Sequence, residues 1–170
     1  MKITAVLAYV AGILLLGCGA VSAAPMSGHD GHSGHEQKAG VSAGSSHADV
    51  AQHKACPHCG MDRGKFAHSR MLISYADGSV VGVCSLHCAV TEIKASKAKA
   101  LKTVQVGDVQ TQKLLDAEQA TWTIGGTKRG VMTRVAKWAF AKKDDAAAFI
   151  KKNGGQLATY KEALAIAEKE

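Results

Sequence analysis

Two cysteine pairs, in CPHCG over residues 56–60 and CSLHC over residues 84–88, stand 24 residues apart and constrain this chain more than any other feature. Their sulfurs either meet at one ion, close as disulfides, or serve separately, and each outcome demands a different fold around them. Two cysteines two residues apart suit a redox dithiol or half of a metal site.

The flanks of the first pair separate these readings. A thioredoxin-type dithiol needs a strand before its Cys-x-x-Cys and a long helix beginning at the first cysteine, whose N-terminus lowers that thiol's pKa. Here a Gly/His-rich stretch lies upstream, Gly60, Asp62, Arg63 and Gly64 describe a turn downstream, and the only other proline is Pro25. A metal knuckle fits instead. Pro57 holds Cys56 extended, and Gly60 can take the positive φ that turns backbone N–H groups toward the sulfurs.

The second pair adds to it, because Cys84 closes an expected strand and His87 and Cys88 fall in the first turn of the next helix, whose dipole favours thiolate over thiol. Cys56, Cys59, Cys84 and Cys88 thus make a four-sulfur ligand set, with His58 and His87 as substitutes. Two structural disulfides are the competing arrangement in an oxidising compartment, although cysteines so close in sequence close small loops and constrain the unfolded chain little. Met61, two residues after Cys59, brings a thioether. Thiolate, thioether and imidazole together favour Cu(I); four thiolates alone suit Zn(II).

The compartment is read from the N-terminus. Lys2, an apolar run from Ile3 to Leu16 and small residues at Ser22, Ala23 and Ala24 describe an export signal over residues 1–24, too short for a membrane span. Leu15-Leu16-Gly17-Cys18 also resembles a lipoprotein box, and acylation of Cys18 would anchor the protein to a membrane surface. The expected location is periplasmic or otherwise exported. Export, together with only three Phe, three Tyr and two Trp, argues against nucleic acid as the partner of the +7 net charge. The lysines scatter from Lys94 to Lys169 as solvated helix faces would, or as an acidic protein partner would require.

Residues 25–54, rich in Gly, Ser, Ala and His, bury too little to order themselves and read as a flexible tether. Within it His29, His32 and His35 offer imidazoles for Cu(II), Ni(II) or Zn(II), or are merely polar linker. From residue 55 onward the expected class is α+β, as two tandem ββαβ units over 55–110 and 111–170. The first has strands over 70–76 and 79–84 around an Asp77-Gly78 turn, a helix capped by Ser85 and a strand over 101–106. The second has strands over 120–124 and 131–141, a helix capped by Asp144 with Ala147, Phe149 and Ile150 inward, a strand over 156–160 and a helix over 162–168.

CPHCGM, the DGS hairpin turn, WTIGG, GVM, KWAFA and NGGQLATY together resemble the NosL family of copper-binding accessory lipoproteins for nitrous oxide reductase assembly. The resemblance spans about residues 54–160. It implies two similar ββα-type units and delivery of Cu(I) to an exported copper enzyme or its assembly factors. By position it marks Cys56, Cys59 and Met61, and in the second unit Met132, as ligands. CSLHC and the histidine-rich tether depart from the family's better-known pattern and bring some likeness to TRASH/YHS-type metal modules. No nucleophile with a partnered base, paired carboxylates or phosphate loop is visible, so a binding protein rather than an enzyme is expected.

Overall fold

A computed structural model describes residues 47–170. The expected signal peptide, Cys18 and the histidines at 29, 32 and 35 lie outside the described residues. No helix among the described residues is long and apolar enough to cross a membrane.

The first sheet is built on strand β1 (Met71–Tyr75), which alternates so that Met71, Ile73 and Tyr75 are buried. It turns through Asp77-Gly78 into β2 (Val80–Val83), pairing Met71 with Val83 and Ser74 with Val80. The turn holds as its residues dictate: Gly78 has φ +84°, and Asp77 Oδ1 accepts bonds from the Ser79 N–H and hydroxyl. Strand β3 (Leu101–Gly107) pairs with the other edge of β1, and β4 (Leu114–Asp116) pairs with β3, giving the order β2-β1-β3-β4. Between β2 and β3 runs a helix over Leu86–Ala95, which is α2 because a shorter one, α1, occupies Ala48–Gln52.

The second sheet has the order β6-β5-β7, from β5 (Thr121–Ile124), β6 (Lys137–Phe140) and β7 (Gln156–Ala158), all antiparallel. Helix α3 (Lys143–Asn153) joins β6 to β7, and α4 (Tyr160–Ala167) ends the chain behind a Thr159/Glu162 capping box. One contiguous apolar cluster joins the two sheets: Met71, Ile73, Val83, Leu86 and Val106 with Trp122, Ala139, Ala163 and Ala167. A second gathers Trp138, Phe140, Ala146 and Phe149 around α3. The architecture is α+β, as expected; β1, β2, α2 and β3 follow in ββαβ order and β5, β6, α3 and β7 repeat it, while β4, within the stretch expected to open the second unit, instead adds a fourth strand to the first sheet.

Several elements differ from the expectation for identifiable reasons. The strand expected over 131–141 is confined to Lys137–Phe140. Gly130 approaches Thr133 and Ala136 so closely that a Cβ would lie 2.5 Å from the Thr133 side chain, and Met132 has φ +52°, so this stretch folds on itself instead of pairing. Helix α3 begins one residue before Asp144, with Lys142 at its cap and no side-chain capping bond; Asp144 and Asp145 occupy its first turn, where the dipole favours them. Ala146 takes the buried place expected of Ala147. Order also starts before residue 55: Ala48–Gln52 is helical because Asp49 is gripped by two buried arginines described below.

Candidate metal centre

The first cysteine pair sits in a small closed loop. Ala55 and Asp62 form an antiparallel bridge, the Cys56 N–H donates to Met61 O at 2.9 Å, and the Gly60 N–H donates to Cys56 O at 2.9 Å. Gly60 has φ +74° with open space where a Cβ would be, so the glycine is needed there for its backbone angle alone. Asp62 Oδ1 accepts the N–H groups of Gly64 and Lys65 and turns the chain out of the loop.

The second pair is delivered by β2 and α2. Cys84 follows Val83 directly, Ser85 is the N-cap residue of α2, and Cys88 lies one turn on. The Ser85 hydroxyl makes no capping bond and instead lies 3.8 Å from Cys84 Sγ. Ser69 Oγ donates to Cys84 O at 2.9 Å, fixing the backbone at the strand's end.

The sulfurs of Cys56, Cys59, Cys84 and Cys88 all lie within 4.8 Å of one another. Cys59 and Cys84 are 3.4 Å apart, Cys84 and Cys88 3.7 Å, and Cys88 and Cys59 3.8 Å. Four sulfurs bound tetrahedrally at about 2.3 Å are separated by about 3.8 Å, so the group has the dimensions of a single coordination shell. All four are free thiols; Cys56, Cys84 and Cys88 are buried and Cys59 is partly exposed.

Cys84, Cys59 and Cys88 differ in how readily they ionise. Contact with Cys88, reinforced by Cys59, Ser85 and Cys56, outweighs burial and brings the Cys84 thiol down to about 5. The same contact with Cys84, followed by burial, pushes Cys88 far up. Burial, aided by Cys84 and Cys56, pushes Cys59 up to about 11. Ionisation of Cys84 is thus favoured by its sulfur neighbours and that of Cys59 and Cys88 opposed, a balance that a bound cation would overturn.

The other expected ligands are placed differently. His58 is turned away from substitute duty: its Nε2 lies 2.8 Å from Glu92 Oε2, on α2. Glu92 Oε1 in turn accepts from Ser96 Oγ at 2.8 Å and Tyr75 OH at 3.1 Å. His87 Nδ1 is buried without a hydrogen-bond partner and borders a cavity of about 10 Å³ with His68, Ser85, Thr133 and Lys137, room for about one water. Met61 is half-buried against the apolar cluster that includes Cys56, Cys84 and Cys88. Met132 is 42% exposed and lines an open cavity of about 480 Å³ formed by residues between Gly125 and Ala136, in which no cysteine takes part. The structure thus gathers the four cysteines, with neither His58 nor His87 among them.

Sequence reasoning missed Glu92, whose only signal was its position four residues after Cys88 on the same face of α2, and Arg63, whose signal was its place at the exit of the first cysteine loop.

The sequence profile of the NosL family matches residues 47–165. No curated protein matches the chain. Among solved structures, the crystal structure of the copper chaperone NosL from Shewanella denitrificans matches with a TM-score of 0.51 at 22% identity, covering 64% of this chain and 87% of that one. At that identity the likeness speaks for the fold, and the family match, which spans well over half of the chain, speaks for descent: this chain belongs to the NosL family.

Proposed function

We propose that this protein is an exported, non-enzymatic Cu(I)-binding accessory protein that delivers copper to a periplasmic copper enzyme, nitrous oxide reductase or its assembly factors. The observation that carries the reading is the convergence of four cysteine sulfurs from two chain segments within 4.8 Å. Soft thiolates select Cu(I) and Zn(II) over harder ions, and the related solved structure is described as a copper chaperone. Acylation of Cys18 would hold the carrier at a membrane surface.

Cys59, the one sulfur of the four with solvent access, is where ligand exchange begins. An incoming donor displaces Cys59, the ion passes through a mixed-ligand intermediate, and the remaining thiolates let go in turn. Met61 and Met132, the thioethers implied by the family resemblance, serve this exchange and not the resting shell. Titration of the reduced protein with Cu(I) against a competing chelator tests the reading: tight binding of one ion is expected, and a Cys56→Ser, Cys59→Ser variant that binds as tightly as the parent would remove the first pair from the mechanism.

A second reading, a structural Zn(II) module serving interaction or metal sensing, is favoured by one feature: three of the four cysteines are buried and all four sulfurs lie within 4.8 Å of one another, the donor set of closed zinc sites. It predicts zinc in anaerobically purified protein and unfolding on chelation, because a structural site's binding energy is folding energy.

A further inference from the structure

We infer that Arg63, oriented by Asp49, is the positioning residue that holds the two cysteine pairs in register before an ion arrives. The inference rests on the reading that the four sulfurs share one ion. Arg63 is fully buried and its guanidinium joins three segments. Nε donates to Val83 O, the residue before Cys84, at 3.1 Å. Nη2 donates to Met71 O at 3.0 Å and to Asp49 Oδ2 at 2.7 Å. Nη1 donates to His53 O at 2.6 Å and Asp49 O at 3.2 Å. The Arg63 N–H meanwhile donates to Lys54 O at 2.9 Å, closing the base of the loop that carries Cys56 and Cys59. One side chain thus ties the exit of the first cysteine loop to the strand end that presents Cys84.

Two further features serve this arrangement. Asp49 is gripped from its other side by Arg70, whose Nη2 lies 2.8 Å from Oδ1, so the carboxylate cannot drift from Arg63. Gly82, on β2, faces the guanidinium: a Cβ there would lie 2.5 Å from Arg63 Cζ. A glycine in a strand interior weakens the strand, and this one makes room for the arginine. A planar fork with five donors suits the task, and a lysine cannot reproduce it.

Anaerobic Co(II) titration of the reduced mature chain tests the inference. The parent is expected to show the intense thiolate-to-Co(II) and ligand-field bands of a tetrahedral sulfur shell. Arg63→Lys, Asp49→Asn and Gly82→Ala are expected to weaken Co(II) binding at least tenfold and to shift or weaken the ligand-field bands. Phe149→Leu, in the separate cluster around Trp138, is expected to lower the melting temperature and leave affinity and bands unchanged. Gly82→Ala alters no charged group, so it decides the matter should either charge variant fail to fold. The inference is overturned if the folded variants bind Co(II) with parental affinity and bands, or if Phe149→Leu shifts the bands as much as they do. A parent protein without tetrathiolate bands overturns the metal reading itself, and the inference with it.

Discussion

Cys59 Sγ lies 3.4 Å from Cys84 Sγ although 25 positions separate them in the chain. The loop bearing Cys59 and the strand end bearing Cys84 are brought together by backbone bonds and by Arg63, not by the sulfurs, so the cluster is a consequence of the fold and is ready to be tested as a binding site.

Proton release should accompany metal uptake. At neutral pH Cys84, at about 5, is ionised, while Cys59, at about 11, and Cys88, pushed up by Cys84, hold their protons. Binding that requires thiolates expels at least those two protons, and affinity then rises by roughly a hundredfold per pH unit through the neutral range. Calorimetry in buffers of different ionisation enthalpy measures the count. Release of clearly fewer than two protons per ion would contradict the ligand set.

The fold should weaken in acid through two buried carboxylates. Burial alone pushes Asp49 up, but the bonds from Arg70 and Arg63 outweigh it and hold the carboxyl below its ordinary value of 3.8. Burial likewise opposes ionisation of Glu92, and bonds from Ser96, His58 and Tyr75 outweigh it. Both values are depressed, so the stability these groups lend is fully present above the unfolded-state values of about 4 and is lost as pH falls through the folded ones. Urea unfolding should show this loss in the parent. Asp49→Asn should cost roughly 3 kcal/mol at neutral pH, because it leaves two buried guanidinium groups short of their partner, and should flatten the acid limb. An unchanged urea midpoint would contradict this account of α1.

Gly60→Ala isolates the backbone contribution of the first cysteine loop. No atom lies within 4 Å of the added methyl, so the whole effect comes from forcing alanine to φ +74°. A penalty of about 1 kcal/mol in folding stability is expected, with metal affinity and the Co(II) spectrum nearly unchanged, because the strain is present in the folded loop with or without the ion. A variant with the parent's urea midpoint would mean that the loop relaxes without cost.

His58 braces the centre without joining it. His58→Ala removes the 2.8 Å contact with Glu92 and should weaken binding by less than tenfold, leaving a sulfur-only shell in X-ray absorption. Met132→Leu should leave the resting shell untouched, since that side chain lines a separate cavity. Loss of the ion in either variant would assign its side chain a ligand role.

Much of this architecture is legible in the residues. Alternation in MLISY, the Asp77-Gly78 turn and the cysteine spacing locate the first sheet and the four cysteines that meet, because each rests on local chemistry: period-two burial, a positive φ, a helix start. What was hidden depends on distant partners. Helix α1 forms in a stretch with the composition of a tether because Arg63 and Arg70 seize Asp49, and no pattern within residues 47–54 announces that. β4 is a three-residue edge strand defined by β3 alone. The segment before Lys137 has strand-like residues, yet Gly130 and the left-handed Met132 fold it back, and Met132 lines an open cavity there. His58 reads as a ligand by spacing, and only the placement of α2 shows that Glu92 claims it.

The most direct test of the central claim is X-ray absorption on reduced protein loaded with one equivalent of Cu(I), with Zn(II) loading alongside. A single ion per chain in a sulfur-only shell, at about 2.3 Å for zinc, lost when Cys59 and Cys84 are both replaced by serine, is the predicted result. Imidazole scattering in the shell, or two ions divided between the CPHCG loop and the start of α2, would contradict it.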